Sequence, residues 1–149
     1  PFGVMVPKNV DNLLLPVPVS GSHIGFSTLR MEPCWMAIGQ AAGISAAIAI
    51  DDHVKIQNVC LDKLQEKLLD QKVTLMYFRD MSYTDPNFRL VQYMGLRGYL
   101  PDWNAKLNAS IDSETLKNWQ SLCNQPLSGV ECGKTSRLNV LKQIYNLIK

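Results

Sequence analysis

The chain has 149 residues, of which 46% are hydrophobic and 19% are charged, an ordinary globular composition that can bury a core. This length allows one domain or two small ones. The net charge of +2 is too small to indicate a nucleic-acid partner or binding to an anionic membrane surface. The sequence shows no signal peptide or transit segment, and we expect no membrane span.

The N-terminal segment is predicted to contain one short strand followed by a loop. Asn12–Val19 is apolar and extended, and it predicts a buried strand that is ended by Pro16 and Pro18, which cannot continue a central ladder. Ser20–His23 then predicts a loop of small residues, and the small residues Gly25, Ser27 and Thr28 predict a flexible backbone as far as Arg30.

The run Ser27–Ile50 is the longest apolar stretch and predicts a helix, with Pro33 in its first turn. Gly39 and Gly43 are four positions apart and share one face, so another backbone or a flat ligand could lie close to this strip. The same pattern is common in tightly packed core helices, and both interpretations stay open. A transmembrane helix is not expected, because the run is short and Gln40 interrupts it.

The rest of the chain is predicted from apolar periodicity, β-branched content and capping residues. Gly98 is expected to end one helix, and Asp112 is expected to cap the next. In chain order the elements are a helix over Asn58–Asp70, a strand over Val73–Phe78, and helices beginning near Pro86, at Asp112 and near Leu138. The last three helices predict a compact module.

Few residues form a motif that carries chemistry. The four cysteines include no C-x-x-C pair and the two histidines are not at metal-ligand spacing, so no metal site is predicted. Cys123 and Cys132 could form a disulfide, or both could be reduced thiols. Cys34 is either a thiolate favoured by a helix start or a small packing residue.

Two further features have alternative interpretations. Gly133–Thr135 is similar to the end of a phosphate loop, but Ser128 stands where that loop requires glycine, so a helix start is predicted instead. Trp103 and Trp119 could pack in the core or stack on a sugar or a partner.

Several elements follow one another in a specific order: the strand Asn12–Leu15, the loop Ser20–His23, the stretch Leu29–Pro33 and the helix Met36–Gly43. In this order they closely resemble the C-terminal end of the FAD-binding domain in a large family of FAD-dependent oxidoreductases. In that family the helix directs its N-terminus at the flavin. The match continues weakly beyond Ile50 and covers about half of the chain.

The loop before the helix indicates a subgroup of this family. Many relatives have Ala-Gly-Arg where this chain has Pro16-Val17-Pro18. A subgroup with a Pro-Val-x-x-Ser loop looks more like this chain, and its members are often named xanthan lyases. A polysaccharide lyase would need a long cleft with Tyr, His and Arg in reach, and no segment here resembles such a site.

The resemblance implies a mainly α fold with a few short strands and FAD as the cofactor of the full-length protein. Residues 1–75 would be the C-terminal segment of an α/β FAD-binding domain, and residues 76–149 a small three-helix module. Family members bind the adenosine and pyrophosphate with a G-x-G-x-x-G turn, which this chain lacks. We therefore expect a fragment that binds FAD poorly or not at all without the N-terminal FAD-binding half of the same protein.

The resemblance also implies the site residues. Backbone N–H groups at the helix start would stabilise negative charge on the reduced flavin. His23 and Arg30 are the catalytic candidates, as proton donor and anion clamp for a small-molecule or sugar substrate, with structural hydrogen bonding as the alternative. The residues expected on the cofactor side are Ser22, Glu32, Pro33, Cys34, Trp35 and Met36.

A second hypothesis belongs to a different class of protein. The segment Pro86–Lys149 could be a non-catalytic helical module that docks a protein partner or a carbohydrate. Exposure of both Trp103 and Trp119 would favour this function, and burial of both would count against it.

Overall fold

The computed structural model describes residues Pro1–Lys149 and is mainly helical, with six α-helices, no strands and 51% of its residues in helices. This confirms the predicted mainly helical class. The chain divides into two compact units, Pro1–Gln71 and Lys72–Lys149. The helices are α1 (His23–Leu29), α2 (Glu32–Asp51), α3 (Leu61–Asp70), α4 (Phe88–Leu96), α5 (Ser113–Cys123) and α6 (Arg137–Ile148), with 3-10 helices at Phe2–Met5 and Ile56–Asn58.

The segment Asn12–Val19 does not form the predicted strand. The N–H groups of Leu15 and Ser20 donate to carbonyl oxygens of the first 3-10 helix, both at 2.8 Å. Pro16 and Pro18 lie between these two bonds and have no N–H to donate. A continuous ladder therefore cannot form, and the segment bends at Pro16–Pro18 without a partner strand.

The prediction of a strand over Val73–Phe78 is also wrong, because a side chain takes the place of a neighbouring strand. The Oε1 atom of Gln92 accepts hydrogen bonds from the N–H groups of Leu75 and Met76, each at 2.7 Å. Its Nε2 donates to the carbonyl oxygen of Met76 at 2.7 Å. Gln92 is 1% exposed, so a buried amide satisfies this backbone from inside α4.

The predicted loop is present at Ser20–Ser22, and its last residue, His23, begins α1. The single helix predicted over Ser27–Ile50 is wrong, because this stretch is divided between α1 and α2. The hydroxyl of Ser22 accepts a hydrogen bond from the N–H of Gly25 at 3.1 Å and caps α1. Arg30 and Met31 separate α1 from α2. Proline cannot continue an existing helix, since its ring clashes with the carbonyl four residues earlier, so Pro33 starts α2 instead.

The N-terminal unit is built on the contact between α2 and α3. The buried residues of α2 are Ser45, Ile48 and Ala49, all in its C-terminal half. Helix α2 packs against α3, where Leu64 and Leu68 are buried as the spacing of the leucines predicts. Leu61, which the same spacing predicts for this core stripe, is 47% exposed. The N-terminal half of α2 has no comparable cover within this unit.

The C-terminal unit contains the three predicted helices, with α4 packed on α6. Gly98 ends α4 with a φ of +84°, a conformation that favours glycine, as predicted. Asp112 caps α5 by accepting a hydrogen bond from the N–H of Thr115 at 2.8 Å, and this bond helps to hold the pKa of the Asp112 carboxyl below its usual value.

Gly133–Thr135 is a structural turn that comes before the last helix. The N–H of Ile111 donates to the carbonyl of Thr135 at 2.9 Å, and the hydroxyl of Thr135 accepts from the N–H of Glu131 at 3.0 Å. Helix α6 then begins at Arg137 after the cap Ser136. These bonds support the prediction that the segment leads into a helix and is not a phosphate loop.

Candidate functional site

The start of α2 carries most of the residues predicted on the cofactor side. Met31 is the N-cap, and its carbonyl accepts hydrogen bonds from the N–H groups of Cys34 at 2.9 Å and Trp35 at 3.2 Å. Pro33 has no N–H to offer. Among Glu32 to Trp35, only the backbone N–H of Glu32 is left without a partner inside the chain, so this helix start offers fewer donors than the sequence predicted.

The side chains of this first turn form a partly exposed apolar wall. Met36 is 76% exposed, whereas Cys34 and Trp35 are half-buried. The thiol of Cys34 is free, as are those of the other three cysteines, so Cys123 and Cys132 do not form a disulfide in this structure. Although the residue is only half-buried, the indole Nε1 atom of Trp35 is shielded from solvent and has no hydrogen-bond partner, which is unusual for a polar atom.

The two catalytic candidates lie at opposite ends of α1. His23 is its first residue and Arg30 its C-cap, and both side chains are exposed. Seven residues correspond to about two helical turns, so the two lie on one side of α1 and about 10 Å apart along its axis. Neither side chain forms a hydrogen bond or an ion pair within the chain, and structural hydrogen bonding stays the alternative to the predicted roles. Ser22 is committed to capping, as described above.

Helix α2 as a whole has an unusual exposure for its composition. Its 20 residues are apolar around almost the whole circumference, yet none from Glu32 to Ile44 is buried. By length and composition alone α2 could cross a membrane, so the argument that the run is too short for a span is wrong. Core helices of soluble proteins can have the same length and composition, so these two properties do not distinguish a protein core from a membrane as the surroundings of α2.

Comparison with known proteins finds one family match, which lies in the N-terminal unit. Residues 1–68 match the family model described as FAD dependent oxidoreductase, a match that includes α1, α2 and most of α3. The match supports the resemblance to that family, whose full-length members contain FAD. No curated protein and no solved structure matches the chain significantly.

The residues at the start of α2 fit a flavin in their chemistry. The pyrimidine edge of a flavin accepts hydrogen bonds, and the unpartnered donors at this helix start are the backbone N–H of Glu32 and the buried indole N–H of Trp35. The positive end of the α2 dipole adds to this preference for an electron-rich edge. The negative carboxylate of Glu32 lies in the same turn and would repel a fully charged anion, so this preference applies to a partly negative ring edge.

The C-terminal unit contains features that the sequence did not predict. Trp103 is 64% exposed and Trp119 is 2% exposed, so the two tryptophans have different roles. Tyr77 lies beside Trp103, with ring centroids 5.9 Å apart, and Arg137 lies over the ring of Trp119. These contacts join residues on different elements, and no spacing in the sequence indicates them.

Proposed function

We propose that this chain is the flavin-facing C-terminal part of an FAD-dependent oxidoreductase and acts together with an N-terminal FAD-binding half. The observation that carries the proposal is the apolar, unburied N-terminal half of α2. A helix that is apolar on all sides is normally covered by other protein or by lipid. The family match extends over the whole of α2, which favours a flavoprotein domain as the cover.

The two glycines of α2 support a close approach from outside the chain. A Cβ atom built on Gly39 or on Gly43 meets nothing within 4 Å. Glycine in a helix costs roughly 0.5–1 kcal/mol relative to alanine, and the contacts within this chain supply no steric reason for that cost. A backbone or a flat ring lying on this face would supply one.

The residues proposed for the chemistry lie at the two ends of α1 and at the start of α2. When bound, FAD supplies the ring that accepts electrons from the substrate. The N–H of Glu32 and the positive end of α2 would stabilise negative charge on that ring. His23 would be the proton donor when the reduced ring passes a hydride to an electron acceptor, and Arg30 would hold an anionic group of a small-molecule or sugar substrate. The remaining residues proposed on the cofactor side are Ser22, Pro33, Cys34, Trp35 and Met36.

The finer placement in the family rests on one loop. Pro16–Ser20 matches the Pro-Val-x-x-Ser pattern of the subgroup whose members are often named xanthan lyases, and we propose that the chain belongs to this subgroup. The chemistry we propose for the site is oxidation, because a helix N-terminus with an N–H donor suits a reduced flavin.

The proposal is tested by the visible absorbance spectrum of the full-length protein, recorded beside that of this chain at equal concentration. We expect flavin bands in the full-length protein and none in the chain, because the pyrophosphate-binding turn would belong to the other half. The control is the chain after incubation with FAD and desalting. A full-length protein without flavin, even after reconstitution, would contradict the proposal.

A second candidate function, carbohydrate docking by the C-terminal unit, is favoured by the exposed aromatic pair Tyr77 and Trp103. The two are 63% and 64% exposed, and their rings meet edge to face. The loops that carry them are held together: the N–H of Arg79 donates to the carbonyl of Trp103 at 2.8 Å, and the Asp80 carboxylate accepts from two backbone N–H groups of the second loop. Such fixed, exposed rings suit the apolar face of a sugar.

Replacing Trp103 by alanine is expected to abolish retardation of the chain in affinity electrophoresis through a neutral β-glucan, since the larger ring face is lost. Tyr83→Ala is the matched control, because Tyr83 is 65% exposed and has no ring contact with this pair. Absence of retardation for the wild type, or equal retardation for the Trp103→Ala variant, would contradict carbohydrate docking at this pair.

A further inference from the structure

The C-terminal unit contains a cavity of about 410 Å³ that none of the functions above uses. It lies between the segment after α4, the helix α5 and the start of α6. This volume is within the range of small-molecule sites in proteins, about 300–1,000 Å³. The polar residues lining it are Asp102, Thr115, Asn118, Ser121 and Arg137.

The guanidinium of Arg137 is the unusual group in this cavity. It lies over the ring of Trp119, with Cζ 5.2 Å from the ring centroid, and the residue is half-buried. Its Nε is buried without a hydrogen-bond partner, and Arg137 forms no ion pair. A partly desolvated cation without an anion is costly, and a carboxylate accepting two N–H groups of the fork would compensate it.

Trp119 and Tyr99, which line the cavity, form a structural contact with each other. Trp119 is 2% exposed, and its indole N–H donates to the carbonyl of Tyr99 at 2.8 Å. Burial raises the pKa of the Tyr99 hydroxyl, so this group stays protonated and adds no negative charge. The Trp119 ring therefore positions Arg137 and does not itself offer a face to a ligand.

The remaining polar groups favour hydroxyls over a second negative charge. The side chains of Asn118 and Ser121 are exposed and form no hydrogen bond within the chain, so both can donate to and accept from a ligand. The carboxylate of Asp102 can accept hydrogen bonds from ligand hydroxyls. It forms an ion pair with Lys106 at 3.9 Å, and its negative charge disfavours a dianion such as phosphate. The cavity thus offers one cationic fork and several partners for hydroxyl groups.

We propose that this cavity binds a small hydroxycarboxylate, with its carboxylate on Arg137 and its hydroxyls on Asn118, Ser121 and Asp102. A six-carbon sugar acid is of a suitable size for the volume. The proposal concerns the C-terminal unit alone and does not depend on the flavin, so either proposal can fail without the other.

The test is a titration of the 149-residue chain, followed by NMR of its backbone amides and indole N–H groups, with three probes. Gluconate is the carboxylate probe, sorbitol replaces the carboxylate by a hydroxymethyl group, and inorganic phosphate is the simple anion. We expect saturable shifts of the Trp119 indole and the Ser121 amide with gluconate, and binding at least about tenfold weaker for sorbitol and phosphate.

Substitutions at two cations of α6 distinguish a specific role of the Arg137 guanidinium from a general effect of positive charge. Arg137→Met keeps much of the packing on Trp119 and is expected to weaken gluconate binding by at least about tenfold. Lys142→Met removes another cation of α6 outside this cavity and is expected to leave binding unchanged. If Arg137→Met unfolds the unit, Arg137→Lys serves instead and is expected to weaken binding, because it loses the planar fork. No saturable shift with gluconate, equal binding of sorbitol or phosphate, or equal loss in Lys142→Met would overturn the proposal.

Discussion

Replacing Met36 by lysine is expected to lower the unfolding free energy of the full-length protein by about 3 kcal/mol or more, because the proposed cover would bury an unpaired charge. In the chain alone, where Met36 is 76% exposed, the expected change is within about 0.5 kcal/mol. Urea unfolding of both forms, followed by far-UV circular dichroism, measures the difference. Flavin retention in the full-length variant is expected to fall in parallel.

Asn58→Lys is the matched control for this experiment, because Asn58 is exposed, polar and outside α2. It introduces the same charge and is expected to leave the unfolding free energy unchanged both in the full-length protein and in the chain alone. Equal, small effects of Met36→Lys in both forms would contradict a protein cover on α2. Binding of the wild-type chain to neutral lipid vesicles, abolished by Met36→Lys, would also contradict it and would assign the face to lipid.

The second large effect is expected at Gln92, where leucine should destabilise the C-terminal unit by about 3 kcal/mol. Leucine has a similar volume but accepts and donates no hydrogen bonds. The substitution leaves two N–H groups and one carbonyl of Leu75 and Met76 without the partner that the glutamine amide now supplies. Hydrogen exchange of the Leu75 and Met76 amides gives a local readout, and both should lose protection.

Gln125→Leu is the control, because Gln125 is exposed in the loop after α5 and its side chain forms no hydrogen bond. It is expected to change stability by less than about 0.5 kcal/mol and to leave exchange at Leu75 and Met76 as it is. Unchanged protection in the Gln92→Leu variant would mean that water or another group serves this backbone equally well.

Local chemistry was sufficient to predict many helix boundaries. Asp112 caps α5, Gly98 ends α4 and Pro33 stands in the first turn of α2, because caps, positive φ and a missing N–H act within a few residues. The predicted starts of α3 and α4, near Asn58 and Pro86, precede the observed starts by two or three residues, since capping at those ends is weaker.

The role of the candidate site at the start of α2 stays a prediction. The sequence placed Glu32 to Met36 at a helix start, which holds in the structure. It did not indicate that Met31 would take the N–H groups of Cys34 and Trp35. The Cys34 bond closes a tighter, 3-10-type turn at this helix start, and residue spacing does not distinguish such a turn from an α-helical one.

The sequence by itself determined the mainly helical class, the division of periodic and irregular segments and the family resemblance of the N-terminal residues. Only the tertiary structure decided that Val73–Phe78 pairs with a buried amide, that Trp103 is exposed while Trp119 is buried, and that Arg137 faces a cavity. The reason is physical: caps and periodicity act along the chain, whereas burial and pairing depend on residues that are distant in sequence and meet only after packing.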